Sequence, residues 1–280
     1  MSTPFEGRTV TRIDARCCIG NPLADSVHEA RESATVLINR TLEIPMLKSD
    51  GRVILVSGAS RGIGRAVAEH LAGSGFTVSA GVRDPSRVPA HPRLRAYAYE
   101  AASGASASAW VAASMRDFGR IDGLVNAAGI SVRTPLIGSD EAALFGSLDQ
   151  MVSVNVKGPM AVVRAAWPHL VASGAGRVVN ISSLSGKRVR SDNIGYAMSK
   201  FALMALNQEI RRIGWEHGIR ATALCPGFVN TDMTRAITQF PRDQMSQPDD
   251  LAELVEMALR LPNNASVAEL LVNCRHEDFL

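Results

Sequence analysis

From Gly51 onward the chain alternates short apolar, β-branched runs with longer stretches in which apolar residues recur every three or four positions. The short runs at 52–57, 76–82, 94–99, 124–126, 177–182, 219–225 and 267–272 read as strands. The longer stretches at 63–73, 107–118, 139–170, 194–217 and 248–260 read as helices. Within 139–170, Gly146 and Gly158 are where a break would fall, and Gly218 stands as the cap that closes 194–217. Strands apolar on both faces and separated by helices predict an α/β fold with a doubly wound parallel sheet.

The first fifty residues break this rhythm. Pro4, Pro22 and Pro45, mixed charges and weak periodicity give no βα unit, and 31–42 is the one stretch with a helical stripe. The expected organisation is one domain over 51–280 behind an irregular, loosely packed extension over 1–50 with no catalytic role. A true translation start at Met46, which leads directly into the first strand, is the other reading of this stretch.

Composition narrows the function classes. The chain has 280 residues, 46% of them hydrophobic, which is enough for one sizeable core. A net charge of +3 is too small to point to a nucleic-acid or membrane surface, so neither partner is expected. No apolar run approaches the ~18 residues that a membrane span needs. Glu6, Arg8, Arg12, Asp14 and Arg16 stand where a secretory signal would carry its apolar core. Cys17 and Cys18 are adjacent, and Cys225 and Cys274 at the ends of strand-like runs read as buried small residues. No Cys or His pair has zinc spacing, so no metal is expected, and a reduced, cytoplasmic location is.

Two local patterns carry chemistry. Ser57-Gly58-Ala59-Ser60-Arg61-Gly62-Ile63-Gly64 joins the first strand to the first helix, where glycines permit close approach of a pyrophosphate to a helix N-terminus. Tyr196 and Lys200 lie one helical turn apart, downstream of a serine pair at Ser182 and Ser183. A free phenol ionises near pKa ~10, and a fixed ammonium beside it lowers that value by roughly one to three pH units.

Gly58-x-x-x-Gly62-x-Gly64, Asn126-Ala127-Ala128-Gly129, Asn155, Ser183, Tyr196-x-x-x-Lys200 and Pro226-Gly227 stand in the order and approximate spacing of one family. From about Gly51 onward the chain resembles the short-chain dehydrogenase/reductase superfamily, whose fold is the Rossmann type. The resemblance implies an oxidoreductase that interconverts a small carbonyl compound and its secondary alcohol by hydride transfer. Tyr196 would be the general acid/base, Lys200 would lower its pKa and bind the nicotinamide ribose, and Ser183 would polarise the carbonyl. Asn155 would hold a water linking the lysine to solvent. Gly58, Ser60, Arg61, Gly62, Ile63 and Gly64 would take the pyrophosphate, with Asn126, Ala128 and Gly129 beneath it. Glu100 stands where the family carries Asp or Asn near the adenine. Pro226, Gly227, Val229 and Thr231 would cover the carboxamide. Arg61 and Arg83 match positions at which NADP-preferring relatives carry a cation, so NADP (NADPH) is expected over NAD. Asp84 is the complication, since a one-residue shift would set a carboxylate at the ribose.

The family draws its substrate pocket from loops that here span 130–137, 184–195 and 228–247. Met233, Ile237, Phe240 and Met245 give the last of these the character of an apolar lid. Arg133, Lys187, Arg188 and Arg190 are either a receptor for an anionic substrate group or a solvated rim. Relatives pair through the helices at 139–170 and 194–217, which implies a homodimer or homotetramer. Two rival readings keep the fold: an epimerase or dehydratase, which in relatives carries a larger substrate domain, and a catalytically silent NADP-binding sensor or scaffold.

Overall fold

Residues 46–277 are described by the computed structural model. The helical stripe at 31–42, the Cys17–Cys18 pair and most of the expected extension lie outside them. Leu47 donates its N–H to the Arg260 carbonyl (2.7 Å) and accepts from the Arg260 guanidinium (3.3 Å), which fixes the lead-in to the first strand.

Seven parallel strands form one sheet: β1 (Val53–Ser57), β2 (Thr77–Val82), β3 (Leu94–Ala98), β4 (Gly123–Asn126), β5 (Arg177–Ile181), β6 (Arg220–Pro226) and β7 (Glu269–Val272), in the order β3-β2-β1-β4-β5-β6-β7. The helices are α1 (Gly62–Gly73), α2 (Gly104–Phe118), α3 (Glu141–Val152), α4 (Gly158–Ala172), α5 (Ile194–Gly214) and α6 (Pro248–Arg260). Alternate residues of each strand feed opposite cores. Ile54 and Val56 pack with Val67 and Leu71 of α1 and Leu251 and Val255 of α6, whereas Leu55 packs with Trp110 of α2, Val162 of α4 and Ile210 of α5. The chain builds outward through β2 and β3, then returns to place β4 on the other side of β1. That reversal opens a crevice beyond the C-terminal ends of β1 and β4, where ligands of doubly wound sheets bind.

Two arginines close the opposite end of the sheet. Arg52 donates to the carbonyls of Leu259, Asp122 and Ala175, and Arg177, 1% exposed, to those of Leu261, Gly176 and Gly218 and to Asn263 Oδ1. The Leu259 and Leu261 carbonyls among these stand at the C-terminus of α6, where they have no intrahelical partner. Burial pushes the Arg177 guanidinium down to about 10.

The stretch 139–170 differs from its expected form. α3 runs through Gly146 without interruption, and the change comes at Ser153–Lys157, one π turn between α3 and α4. Its cause is tertiary: the Asn155 amide accepts from Ile130 N (2.8 Å) and donates to Ile130 O (2.9 Å) and Ser199 Oγ (3.0 Å). α5 gives way to a 3-10 turn at Trp215–His217 and stops at Gly218, which is left-handed as a helix cap requires. Cys225 is fully buried, but Cys274, just past β7, is half-exposed, contrary to its reading as a core residue.

Candidate active site

The crevice is a cleft of about 420 Å³ lined by the glycine loop, Arg83, Glu100, Ala128, Gly129 and, across from them, Thr231, Asp232 and Met233. Its floor is fixed by backbone. A Cβ at Gly58 would lie 2.7 Å from Ala128 Cα, and one at Gly64 would overlap the Gly58 carbonyl. Ser57 Oγ accepts from the N–H groups of Ala127 and Ala128, both at 3.1 Å, stitching the loop after β4 to the glycine loop. Arg61 at the start of α1 supplies no side-chain cap, so the free N–H groups of that helix are left for whatever occupies the cleft. These features fit a dinucleotide pyrophosphate.

Some expected contacts are set back. Asn126 is buried below the cleft, donating to Asn180 Oδ1 (2.8 Å); Asn180 donates to Asn207 Oδ1 (3.0 Å) and Asn207 to the Ala268 carbonyl (3.3 Å). Pro226, Gly227, Val229, Asn155, Ser183, Tyr196 and Lys200 do not line the cleft, whereas Ala101, Ala102, Gln150, Ser153 and Val154 do and were not singled out from the sequence. Their signal was positional: the first two follow β3 directly, and the others lie within about a helical turn of Asn155.

Arg61 forms an ion pair with Asp232 (3.5 Å), and Arg83 lines the cleft, exposed. The neighbouring Asp84 is committed elsewhere. Its carboxylate accepts from Ser86 Oγ (2.7 Å) and Ser86 N (3.1 Å), which holds its pKa below the ordinary value. Glu100 accepts from Ala102 N (3.4 Å) at the cleft edge.

At the inner end, Gly129 separates the cleft from Lys200, whose Nζ lies 3.8 Å from a Cβ built on that glycine. Ser183 lies beside the Tyr196 phenol and draws its pKa down, while Ser183 Oγ accepts from Ser185 N (3.0 Å) and is directed to the Pro226 carbonyl (3.5 Å). Ser182 is buried, its hydroxyl directed to the Lys200 carbonyl (3.5 Å). Asn193, unremarked in the sequence, caps α5 by accepting from Tyr196 N (3.3 Å) and donates to Ser131 Oγ (2.9 Å). Asn155 does structural work: through Ser199, which donates to the Tyr196 carbonyl (2.7 Å), its amide ties the π turn to α5.

The electrostatics of this pair differ from expectation. Burial lifts the Tyr196 phenol to about 12, only partly offset by Ser183, and the ammonium does not reverse it. Lys200 Nζ stands 5.6 Å from the ring centroid and donates to the Ile181 carbonyl (2.8 Å). Burial pushes Lys200, 5% exposed, down to about 8 from its ordinary 10.5. The unfolded chain thus holds a proton that the folded protein releases between pH 8 and 10.5, so this group's burial cost weighs fully below pH 8 and fades above it. Relative to wild type, Lys200→Met should lose on the order of 2–3 kcal/mol of stability between pH 7 and pH 10, measured by urea unfolding at both. A constant difference would show that Lys200 titrates normally.

The basic cluster is internally paired. Lys187 binds Glu269 (2.7 Å), Arg188 and Arg190 bind Glu277, and Arg133 binds Asp192 (Nε–Oδ1 3.0 Å). Of the apolar lid residues, Met233 is exposed, Met245 is buried, and Phe240 packs on Phe228 with ring centroids 5.9 Å apart.

The model of the short chain dehydrogenase family matches residues 52–242. The chain belongs to that family. Agropine synthesis reductase of Rhizobium rhizogenes is 37% identical over 230 residues, covering 80% of this chain and 53% of the relative. The chain therefore spans about half the length of that relative. Among solved structures, a 3-ketoacyl-(acyl-carrier-protein) reductase from Brucella melitensis complexed with NADH superposes with a TM-score of 0.73 at 27% identity, covering 80% of this chain and 98% of that one. A gluconate 5-dehydrogenase from Burkholderia cenocepacia in complex with NADP and tartrate gives 0.71 at 25% identity, over 80% and 94%. The family's members with NADH and with NADP share this sheet, so membership implies a nicotinamide dinucleotide without selecting one. Among the described residues no helix is long and apolar enough to cross a membrane, and no cluster of His, Cys, Asp or Glu could hold a metal.

Proposed function

We propose that the protein is an NADP(H)-dependent oxidoreductase that interconverts a carbonyl compound and its secondary alcohol. The observation that carries this reading is the grouping of Ser183, the Tyr196 phenol and Lys200, with Lys200 Nζ just beyond Gly129 of a cleft that the glycine loop, Arg61 and Arg83 also line. Bound NADPH would supply the hydride. In reduction, Ser183 donates a hydrogen bond to the carbonyl oxygen and the Tyr196 phenol delivers the proton to it; in oxidation, Tyr196 takes the alcohol proton. Lys200 keeps positive charge beside the phenol as that proton leaves, and Asn155 fixes the π turn that sets Gly129 and α5.

Arg61 and Arg83 are assigned to the 2′-phosphate, a task suited to guanidinium forks, while Asp84 is withdrawn to Ser86. Arg83→Ala should raise the Kd for NADPH about tenfold and leave that for NADH unchanged, by fluorescence titration. A preference for NADH in the wild type would overturn the assignment. Turnover is tested by following reduced-nicotinamide absorbance with a panel of ketones and aldehydes; tight cofactor binding with no turnover would favour the silent sensor instead. We also propose a cytoplasmic location and pairing of copies through α3, α4 and α5, where Phe145, Met160, Met198 and Phe201 are exposed.

A further inference from the structure

The loop joining Ser183 to Tyr196 carries both ends of the proposed proton-transfer pair, yet contains one short 3-10 turn at Leu184–Gly186 and no other regular structure. Ordering it therefore depends on side-chain contacts from elsewhere. The largest group of these comes from the segment after β7. The Glu277 side chain is 3% exposed, and both its carboxylate oxygens are taken by the Arg188 fork, with Nε–Oε2 at 2.8 Å and Nη2–Oε1 at 2.8 Å. Arg190 reaches the same carboxylate at 3.2 Å and Arg275 at 3.5 Å. Lys187 is tied to Glu269, the first residue of β7.

The same segment also grips the other side of the site. Gly227 donates to the Val272 carbonyl (2.8 Å), Asn273 Oδ1 occupies the space where a Cβ on Gly227 would stand, and the Arg275 guanidinium lies 5.3 Å from the Phe228 ring centroid. One short stretch of chain thus holds both the loop between the catalytic residues and the loop after β6. Burial raises the cost of the Glu277 charge, and the converging guanidinium groups, with a smaller contribution from the Asn273 side chain, offset it, so the carboxylate and the loop are fixed together.

We propose that Glu277 is a positioning residue: by clamping Arg188 and Arg190 it holds the 184–193 loop in the form that shapes the substrate pocket between Ser183 and Tyr196. It contacts neither reacting atoms nor the cleft lining. The inference rests on the catalytic assignment above for its kinetic consequence, but not for its structural one, and the two are measured separately.

Glu277→Gln keeps the side chain's shape and removes its charge. Limited trypsin digestion with mass mapping should show cleavage after Arg188 and Arg190 about tenfold faster in the variant. With a carbonyl substrate found for the wild type, its KM should rise about tenfold while kcat changes less than twofold and the Kd for NADPH is unchanged. Arg188→Lys, which keeps the charge but loses the fork, should shift both readouts the same way to a smaller degree, and it serves if Glu277→Gln does not fold. Unchanged cleavage and unchanged KM would overturn the proposal. If no carbonyl compound is turned over by the wild type, the catalytic reading fails and the digestion alone decides the clamp: faster cleavage supports it and equal cleavage sinks it.

Discussion

Tyr196→Phe is expected to lower carbonyl turnover by about 10³-fold while leaving the Kd for the dinucleotide within a factor of two. The phenylalanine ring fills the same space, so packing at the head of α5 is retained. What is lost is the hydroxyl that faces Ser183. Lys200 keeps its bond to the Ile181 carbonyl and Ser183 keeps its bond from Ser185 N, so the remaining site stays in place. The glycine loop lines the cleft, and none of these residues does. Turnover near the wild-type rate would remove Tyr196 from the chemistry. A matching loss of cofactor affinity would instead show that the phenol acts by holding the dinucleotide.

Gly64→Ala should produce the opposite pattern. The new methyl overlaps the Gly58 carbonyl and stands 3.3 Å from the Ala127 methyl, so the turn must open. Gly58 cannot yield easily: its φ is +71°, and Ala128 presses on the side where a Cβ would sit. Overpacking of this kind costs about 1–3 kcal/mol of stability. It should also weaken dinucleotide binding about 100-fold, because displaced N–H groups no longer converge on the phosphates. Gly73→Ala is the matched control, since that exposed residue ends the same helix and its added methyl meets nothing within 4 Å. It should bind the dinucleotide normally and melt no lower than wild type. Comparable losses in both variants would mean that the helix, and not the loop geometry, sets affinity.

The parallel sheet was legible in the sequence because its five inner strands are buried on both faces, which leaves apolar runs between helical stripes, whereas the edge strands β3 and β7 are partly exposed. α6 was legible to the residue, Pro248 to Arg260: proline suits a first helical turn, and Gln247 closes a capping box with Asp250. The motif residues of the site were legible as types and spacings. Their surroundings were not. Glu277 lies 89 positions from Arg188, and Asp232 is 171 positions from Arg61, so no local pattern could pair them. How deeply the Tyr196 phenol is buried, which raises its pKa, was not legible either, since spacing along a helix says nothing about burial. The change at 153–157 involves a bond to Ile130, 25 residues away; of the two glycines read as possible breaks, Gly158 marks where the next helix begins and Gly146 marks nothing.

That π turn has a consequence for how the chain tolerates change. A helix advances about 100° per residue, so the additional residue in the turn sets α4 out of phase with α3 by that angle. The apolar stripe resets at Asn155. Removing one residue here would restore a continuous helix but rotate either Asn155 away from Ile130 or the buried face of α4, with Val162 and Leu170, away from the sheet. Length between Asp140 and Pro168 is therefore as constrained as residue identity, and a slip in hydrophobic phase within a long helix marks where this fold departs from pure packing.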